Sequence, residues 1–150
     1  MSAALIAALF FTVALLVTTA YFILGSVPLL ILKHDSPKDS RFVRAFFNTY
    51  YLAAMGTAGA TSLSYAVAGR AVLAAGAAAL AALAFLLRLK VIPRMDTLRA
   101  RIEVSEASAI SSFRRIHLTA IVINVAQLAL IVGALIAMSM QASGNGGGLP

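Results

Sequence analysis

Four long apolar segments, separated by short polar stretches, dominate the pattern along the chain. The first charged residue is Lys33, and residues 3–32 form an uncharged, mainly apolar run. Three further segments follow at residues 36–68, 71–103 and 105–140. About 20 consecutive apolar residues suffice for a helix to cross a bilayer. The pattern therefore predicts an all-α polytopic membrane protein whose four transmembrane helices form a bundle.

The polar stretches predict where these helices begin and turn. Ser36 with Asp39 is typical of a helix N-terminus, because the hydroxyl caps it and the carboxylate favours its positive end. Gly69-Arg70 is the one polar break between helices 2 and 3, which predicts a tight antiparallel hairpin, and Ser105 is the predicted N-cap of helix 4. A secretory signal would need a positive N-terminal region and a shorter apolar core, so we interpret the first segment as a retained span.

Helix 3 is predicted to continue beyond the bilayer. Val91, Met95, Leu98 and Ile102 recur at spacings of four, three and four between basic residues, which places them on one face of a helix. This gives a short cytoplasmic helical extension between helices 3 and 4. We expect one transmembrane domain over residues 1–140, followed by a flexible glycine-rich tail.

Composition supports a lipid environment and removes several kinds of chemistry. Hydrophobic residues make up 61% of the chain and charged residues 11%, against roughly 45–50% and 25% in soluble domains. The absence of cysteine excludes disulfide scaffolds, thiolate metal sites and cysteine nucleophiles. Two histidines and five carboxylates leave little for acid–base catalysis, so the sequence favours a non-enzymatic protein.

The basic residues predict the orientation of the chain. Every lysine and arginine except Arg70 lies in or beside the connections between helices 1 and 2 and between helices 3 and 4. The positive-inside rule makes that side cytoplasmic, so both termini are expected outside. The net charge of +7 is thereby explained by topology. We expect the lipid bilayer, and no nucleic acid, as a partner.

A series of short motifs runs from helix 1 to helix 4. They comprise Gly25, Pro28, Phe46, Tyr50-Tyr51, Pro93-Arg94-Met95, Leu98-Arg99, Phe113-Arg114-Arg115-Ile116-His117 and Asn124. Their order, which spans roughly two thirds of the chain, resembles the bacterial four-helix membrane proteins related to eukaryotic transmembrane protein 205. Two departures stand out: helix 1 lacks the tryptophan that members often carry, and Ala120 replaces a serine that many carry, with Thr119 beside it.

The resemblance implies a place in the bacterial inner membrane and a function in transport, efflux or scaffolding. The eukaryotic members of the family are associated with tolerance to platinum drugs, which points towards export or trafficking but defines no substrate for this chain. Four helices enclose little space. We therefore expect a homo-oligomer or a subunit of a membrane complex rather than a channel through one chain.

Helix 4 carries the main candidate site. His117 and Asn124 are seven residues apart and stand almost in line, and Asn124 lies about 14 Å beyond Arg115 at 1.5 Å per residue. A buried amide at that depth requires a hydrogen bond, so we expect an intramembrane polar face. Its predicted members on helices 2 and 4 are Asn48, Tyr50, Tyr51, His117, Asn124 and Gln127. Such a face is either a structural contact or a line that handles a proton, an ion or a ligand.

The histidines leave an alternative open. His34 and His117 both lie near the predicted cytoplasmic face, and imidazole is a common ligand of heme and metals. No cofactor is our main expectation. The alternative is a heme b or metal site at His117, with His34 as the second ligand, in a membrane subunit that supports electron transfer.

Two further patterns have both a structural and a functional interpretation. The predicted cytoplasmic basic face binds anionic lipid or a partner helix, or it serves only as the topology signal; its members are Arg94, Arg99, Arg101, Arg114 and Arg115. Close helix packing is predicted by Gly56, Gly59 and Ala60 in helix 2, together with Gly76 and the alanines of helix 3.

Overall fold

The computed structural model describes residues 2–31, 36–104 and 106–144, and within these ranges the chain is all-α. The four helices are α1 (Ala3–Leu29), α2 (Pro37–Val67), α3 (Ala71–Glu103) and α4 (Ala107–Gly144). The prediction of an all-α protein built on four helices is confirmed. The predicted cap Ser105, the histidine His34 and the tail beyond Gly144 lie outside the described residues.

The helix ends follow local chemistry. The Ser36 hydroxyl accepts a hydrogen bond of 3.1 Å from the Asp39 amide, as the N-terminal pattern of α2 predicts. Gly69, with a φ of 71°, makes the tight turn into α3 in the left-handed region that favours glycine. The first helix ends at Leu29 rather than at residue 32. The amides of the next two residues bond to carbonyls three positions back, which tightens the turn beyond Pro28.

The helices form a ring in which chain neighbours are also spatial neighbours. Helix α2 packs against α1 and α3, and α4 packs against α3 and α1, so α2 and α4 lie diagonally opposite each other. The inward face of α1 repeats at alternating spacings of four and three, as in knobs-into-holes bundles. Its buried residues are Ala8, Thr12, Leu15, Thr19, Phe22 and Ser26.

The outer surface of the bundle is apolar. Large hydrophobic side chains such as Phe10, Leu24, Val72 and Leu130 are more than half exposed, which a water-facing surface of this extent would not tolerate. Three helices, α1, α3 and α4, are long and apolar enough to cross a membrane by length and composition. The chain is therefore a small α-helical membrane protein.

The connection between α3 and α4 is helical almost throughout. Helix α3 runs unbroken through Pro93 to Glu103, and Met95, Leu98 and Ile102 are buried in a cluster with Phe113 of α4. The prediction of a helical continuation with one covered apolar face is confirmed. This hairpin carries most of the basic residues of the chain.

Hydrogen bonds and ion pairs connect the helices at the end of the bundle that carries the basic residues. Arg44 of α2 makes two hydrogen bonds to the Asp96 carboxylate of α3, at 2.9 and 2.8 Å, and Arg99 bonds to the same carboxylate at 3.2 Å. Arg114 of α4 reaches the Leu30 carbonyl at the end of α1 at 3.5 Å. The two basic connections therefore share one end of the bundle, and Arg70 lies at the other.

Of the small residues predicted to pack closely, three alanines of α3 are buried; they are Ala74, Ala77 and Ala84. Gly56, Gly59 and Gly76 are exposed, and a Cβ added at any of them would meet nothing within 4 Å. The prediction is therefore wrong for these three glycines, because α2 and α3 are rich in small residues on every side and composition gave no direction. Gly25 is the glycine at a close contact, where a Cβ would lie 2.7 Å from the Phe46 ring.

Candidate functional site

A group of buried polar side chains joins α2 and α4 across the centre of the bundle. The Tyr50 hydroxyl donates a hydrogen bond to Oδ1 of Asn124 and lies 3.5 Å from Oε1 of Gln127. The Asn124 amide nitrogen donates to the Ala120 carbonyl at 2.6 Å. Thr19 of α1 is also buried. We call Thr19, Tyr50, Asn124 and Gln127 the central polar cluster.

Aromatic packing aims the Tyr50 hydroxyl at α4. The Phe22 ring of α1 stacks on the Tyr50 ring, with centroids 3.9 Å apart and planes at 21°, so the phenol is held between α1 and the diagonal helix. A cavity of about 10 Å³ lies beside the cluster, and its polar lining comes from Thr19, Tyr50 and Gln127. That volume is close to the minimum of about 10–15 Å³ that holds one water molecule.

His117 lies in a separate layer nearer the basic end. Its side chain is fully buried, and the Phe47 ring meets the imidazole edge-on with centroids 5.1 Å apart. Tyr51 packs against Phe47 at 6.1 Å. The hydroxyls of Tyr51 and Ser26 are buried without a hydrogen-bond partner among the described residues. Burying each such group without a partner costs about 1–3 kcal/mol, so packing alone does not account for these two hydroxyls.

An apolar layer and then a third polar layer lie on the opposite side of the cluster. Leu15, Ala58 and Ile131 form the apolar layer. Beyond it, the Thr12 hydroxyl lies 3.2 Å from the Tyr65 hydroxyl. Aliphatic side chains therefore separate the Thr12–Tyr65 contact from the central polar cluster.

The sequence interpretation missed the polar residues of α1. Thr12, Thr19 and Ser26 are all buried, and their spacing of seven residues in an otherwise apolar helix was the available signal. Tyr65 contacts Thr12 and also lies 3.2 Å from the Met138 sulfur. It was missed because it is the last aromatic residue before the α2–α3 turn. Both signals become visible once the inward face of α1 is known.

Five of the six residues of the expected polar face turn inward, and one does not. Tyr50, Tyr51, His117, Asn124 and Gln127 are buried. Asn48 is half-buried and accepts a hydrogen bond of 3.1 Å from Arg88 of α3. Two residues correspond to about 200° around a helix, so Asn48 and Tyr50 face different neighbours.

The expected basic face is divided between several contacts. Arg99 binds Asp96 and lies 3.7 Å from Glu103, and Arg114 points to the end of α1. The other three members line one groove between α3 and α4, of about 280 Å³; they are Arg94, Arg101 and Arg115. The predicted face is thus a groove of three arginines with the remaining two turned elsewhere.

The surroundings of His117 bear on the alternative of a metal or heme site. Among the residues that the structure describes, no group of three or more His, Cys, Asp or Glu side chains is placed to share a metal ion. His34, the second ligand of the alternative interpretation, lies outside those residues. The Phe47 ring contacts the His117 imidazole, and phenylalanine is not a metal ligand.

Comparisons of the chain with protein-family models, with curated proteins and with solved structures find no match. The class of the molecule therefore rests on its own features: a small α-helical membrane protein whose interior is polar in layers.

Proposed function

We propose that the chain is a non-enzymatic four-span protein of the transmembrane protein 205 type, which works in transport or as the scaffold of a membrane complex. The observation that carries this proposal is the central polar cluster. Its hydroxyls and amides form hydrogen bonds, but they neither attack substrates nor exchange protons readily near neutral pH. A buried group of this chemistry suits helix pairing or ligand contact rather than catalysis.

The length of the uncharged stretch in α2 supports a fourth membrane span. Residues 45–68 form an uncharged stretch of 24 residues, which extends about 36 Å at 1.5 Å per residue and exceeds a hydrocarbon layer of about 30 Å. The polar side chains Tyr50, Thr61 and Tyr65 are buried, whereas Leu52 and Leu63 are exposed. These five side chains are placed as a helix facing lipid on its outer side would place them.

The shared end of the basic connections supports the proposed orientation. Arg44 meets Asp96 and Arg114 meets the end of α1, so the described basic residues of both connections gather at one end of the bundle, which we assign to one side of the membrane. The positive-inside rule makes that side cytoplasmic, with both termini outside. For a bacterial chain of this type the membrane is the inner one.

Single cysteines are expected to report this topology cleanly, because the chain has no native cysteine. Lys38→Cys and Thr97→Cys are exposed at the basic end, and Arg70→Cys is exposed at the opposite end. A membrane-impermeant maleimide added to intact spheroplasts should label only Arg70→Cys. Labelling of Lys38→Cys under those conditions would overturn the orientation, and labelling after lysis serves as the control.

The residues behind the family resemblance support a common fold more than a common activity. Phe46 packs against Gly25, Tyr50 bonds to Asn124, and Phe113 lies in one cluster with Met95 and Leu98. These are contacts between helices. They are consistent with a shared four-helix architecture, and the substrate or partner of the chain has to be found by experiment.

The apolar layer favours function as an assembly. Leu15, Ala58 and Ile131 form an apolar cluster between two groups of buried polar side chains, which favours a route for solutes between chains over one through a single chain. We therefore propose a homo-oligomer or a subunit of a larger membrane complex, without a resident cofactor.

Purification without chelators in a mild detergent tests this function. We expect light scattering to give a protein mass well above the 15.6 kDa of one chain, with no absorption in the Soret region and no stoichiometric metal. A strictly monomeric protein would contradict the assembly. A Soret band that is lost in His117→Ala would favour the alternative, a heme-binding subunit for electron transfer.

A further inference from the structure

The groove between α3 and α4 at the basic end has the chemistry of an anion site. Arg94 and Arg101 of α3 face Arg115 of α4 across it, and Thr97 and Ser112 add a hydroxyl from each helix. None of its lining residues is acidic. Arginine presents a planar fork of donors that matches the oxygens of a phosphate.

Two of these arginines have no counter-charge within the described chain. Arg101 bonds to the Glu106 carboxylate at 2.7 Å, and this contact lowers the pKa of Glu106 to about 2. Neither Arg94 nor Arg115 has a side-chain hydrogen bond or ion pair with a described residue. By contrast, Arg44 and Arg99 outside the groove both bind Asp96. The groove therefore concentrates positive charge that the fold leaves unbalanced.

The groove lies where α4 becomes apolar, whereas in α3 Arg88 and Lys90 lie between Arg94 and the apolar part of the helix. No charged residue follows Arg115 in α4, and none precedes Arg88 in α3. Leu98 and Ile116 contribute apolar surface to the groove, and the lipid-facing side of α4 continues from it through the exposed Leu118 and Val122. A ligand with an anionic head and apolar chains would find both parts of its chemistry in this place.

We propose that this groove binds the phosphate headgroup of an anionic phospholipid, of the phosphatidylglycerol type, from the adjacent leaflet. The inference rests on the membrane placement and is independent of the transport or scaffold function. Arg94 and Arg115 bind the phosphate oxygens, and the acyl chains follow the outer face of α4. Ser112 donates a hydrogen bond, as does Thr97 once its hydroxyl leaves the Pro93 carbonyl, to which it donates at 3.1 Å. Basic pockets between membrane helices are known to hold such headgroups.

Thermal unfolding in detergent with added lipid tests the proposal. Phosphatidylglycerol is expected to raise the unfolding temperature of the unaltered protein in a saturable manner, and phosphatidylcholine is not. In Arg94→Gln/Arg115→Gln the apparent affinity should fall by at least about tenfold, because two charge-assisted contacts are lost. The matched control Arg41→Gln/Lys90→Gln removes the same charge from exposed positions outside the groove and should retain the response.

Each other outcome overturns a defined part of the proposal. An equal loss in both double variants would mean general electrostatic attraction rather than a site. A saturable response to inorganic phosphate, as strong as that to phosphatidylglycerol, would assign the groove to a free anion instead of a lipid. If the double variant fails to fold, Thr97→Ala/Ser112→Ala replaces it, and an unaltered lipid response there would contradict the site.

Discussion

Replacing Phe47 with alanine is expected to lower the free energy of unfolding by about 3 kcal/mol, the lower end of the range for buried phenylalanines. Phe47 is fully buried, and its ring contacts Phe22, Tyr51 and His117. In detergent or lipid the unfolded helices keep apolar surroundings, so the transfer of the side chain out of water contributes less to the free energy of unfolding. The lost packing contacts and the cavity left at the centre of the bundle remain.

Phe42→Ala is the matched control for this prediction. Phe42 lies on the same helix, but its side chain is 59% exposed, so alanine there should change the unfolding free energy by less than about 0.5 kcal/mol. Reversible unfolding in mixed micelles, followed by circular dichroism, measures both variants. Equal effects at the two positions would mean that the inward face of α2 is assigned incorrectly.

Removing the amide of the central polar cluster is expected to produce the second-largest effect. Asn124→Leu should lower the unfolding free energy by about 1–3 kcal/mol, because it leaves the buried Tyr50 hydroxyl without its acceptor on Asn124. Tyr50→Phe removes the donor instead. A double-mutant cycle of the two should give a coupling energy between about 0.6 kcal/mol, the mean measured for hydrogen bonds between membrane helices, and about 1.7 kcal/mol, the measured maximum.

Two exposed positions provide the controls for this cycle. Val125→Leu alters the neighbouring lipid-facing position, which is 48% exposed, and Tyr21→Phe removes a hydroxyl from a side chain that is 70% exposed. Both should be close to neutral. If the costs of Tyr50→Phe and Asn124→Leu add without coupling, the bond between α2 and α4 contributes nothing to the fold, and the cluster would need another explanation.

The course of the helices was predictable because local chemistry determines it. Charges, Ser36 and Gly69-Arg70 interrupt the apolar pattern where helices must begin or turn, and α3 begins and ends at the predicted residues 71 and 103. The inward direction of Asn124 was predictable for the same kind of reason, since an amide at that depth has no partner in lipid. Such inferences require only the sequence of one helix and the nature of the solvent around it.

The partners of the buried groups were not predictable, because they depend on how each helix is rotated in the bundle. Asn48 and Tyr50 are both polar residues of α2, and spacing alone does not tell which of them meets α4. Threonine was overlooked for another reason: its hydroxyl can bond to a carbonyl of its own helix, as Thr19 does to Leu15 at 2.9 Å. A threonine in an apolar helix therefore carries little information about the tertiary fold.

The apolar layer of Leu15, Ala58 and Ile131 is a poor environment for charge. Aliphatic side chains form a region of low dielectric constant, in which a charge has no compensating dipoles. The layer lies between the central polar cluster and the Thr12–Tyr65 contact, so an ion moving from one to the other inside a single chain would lose its polar partners on the way. We therefore expect the electrostatic cost of this step to oppose ion passage through one chain.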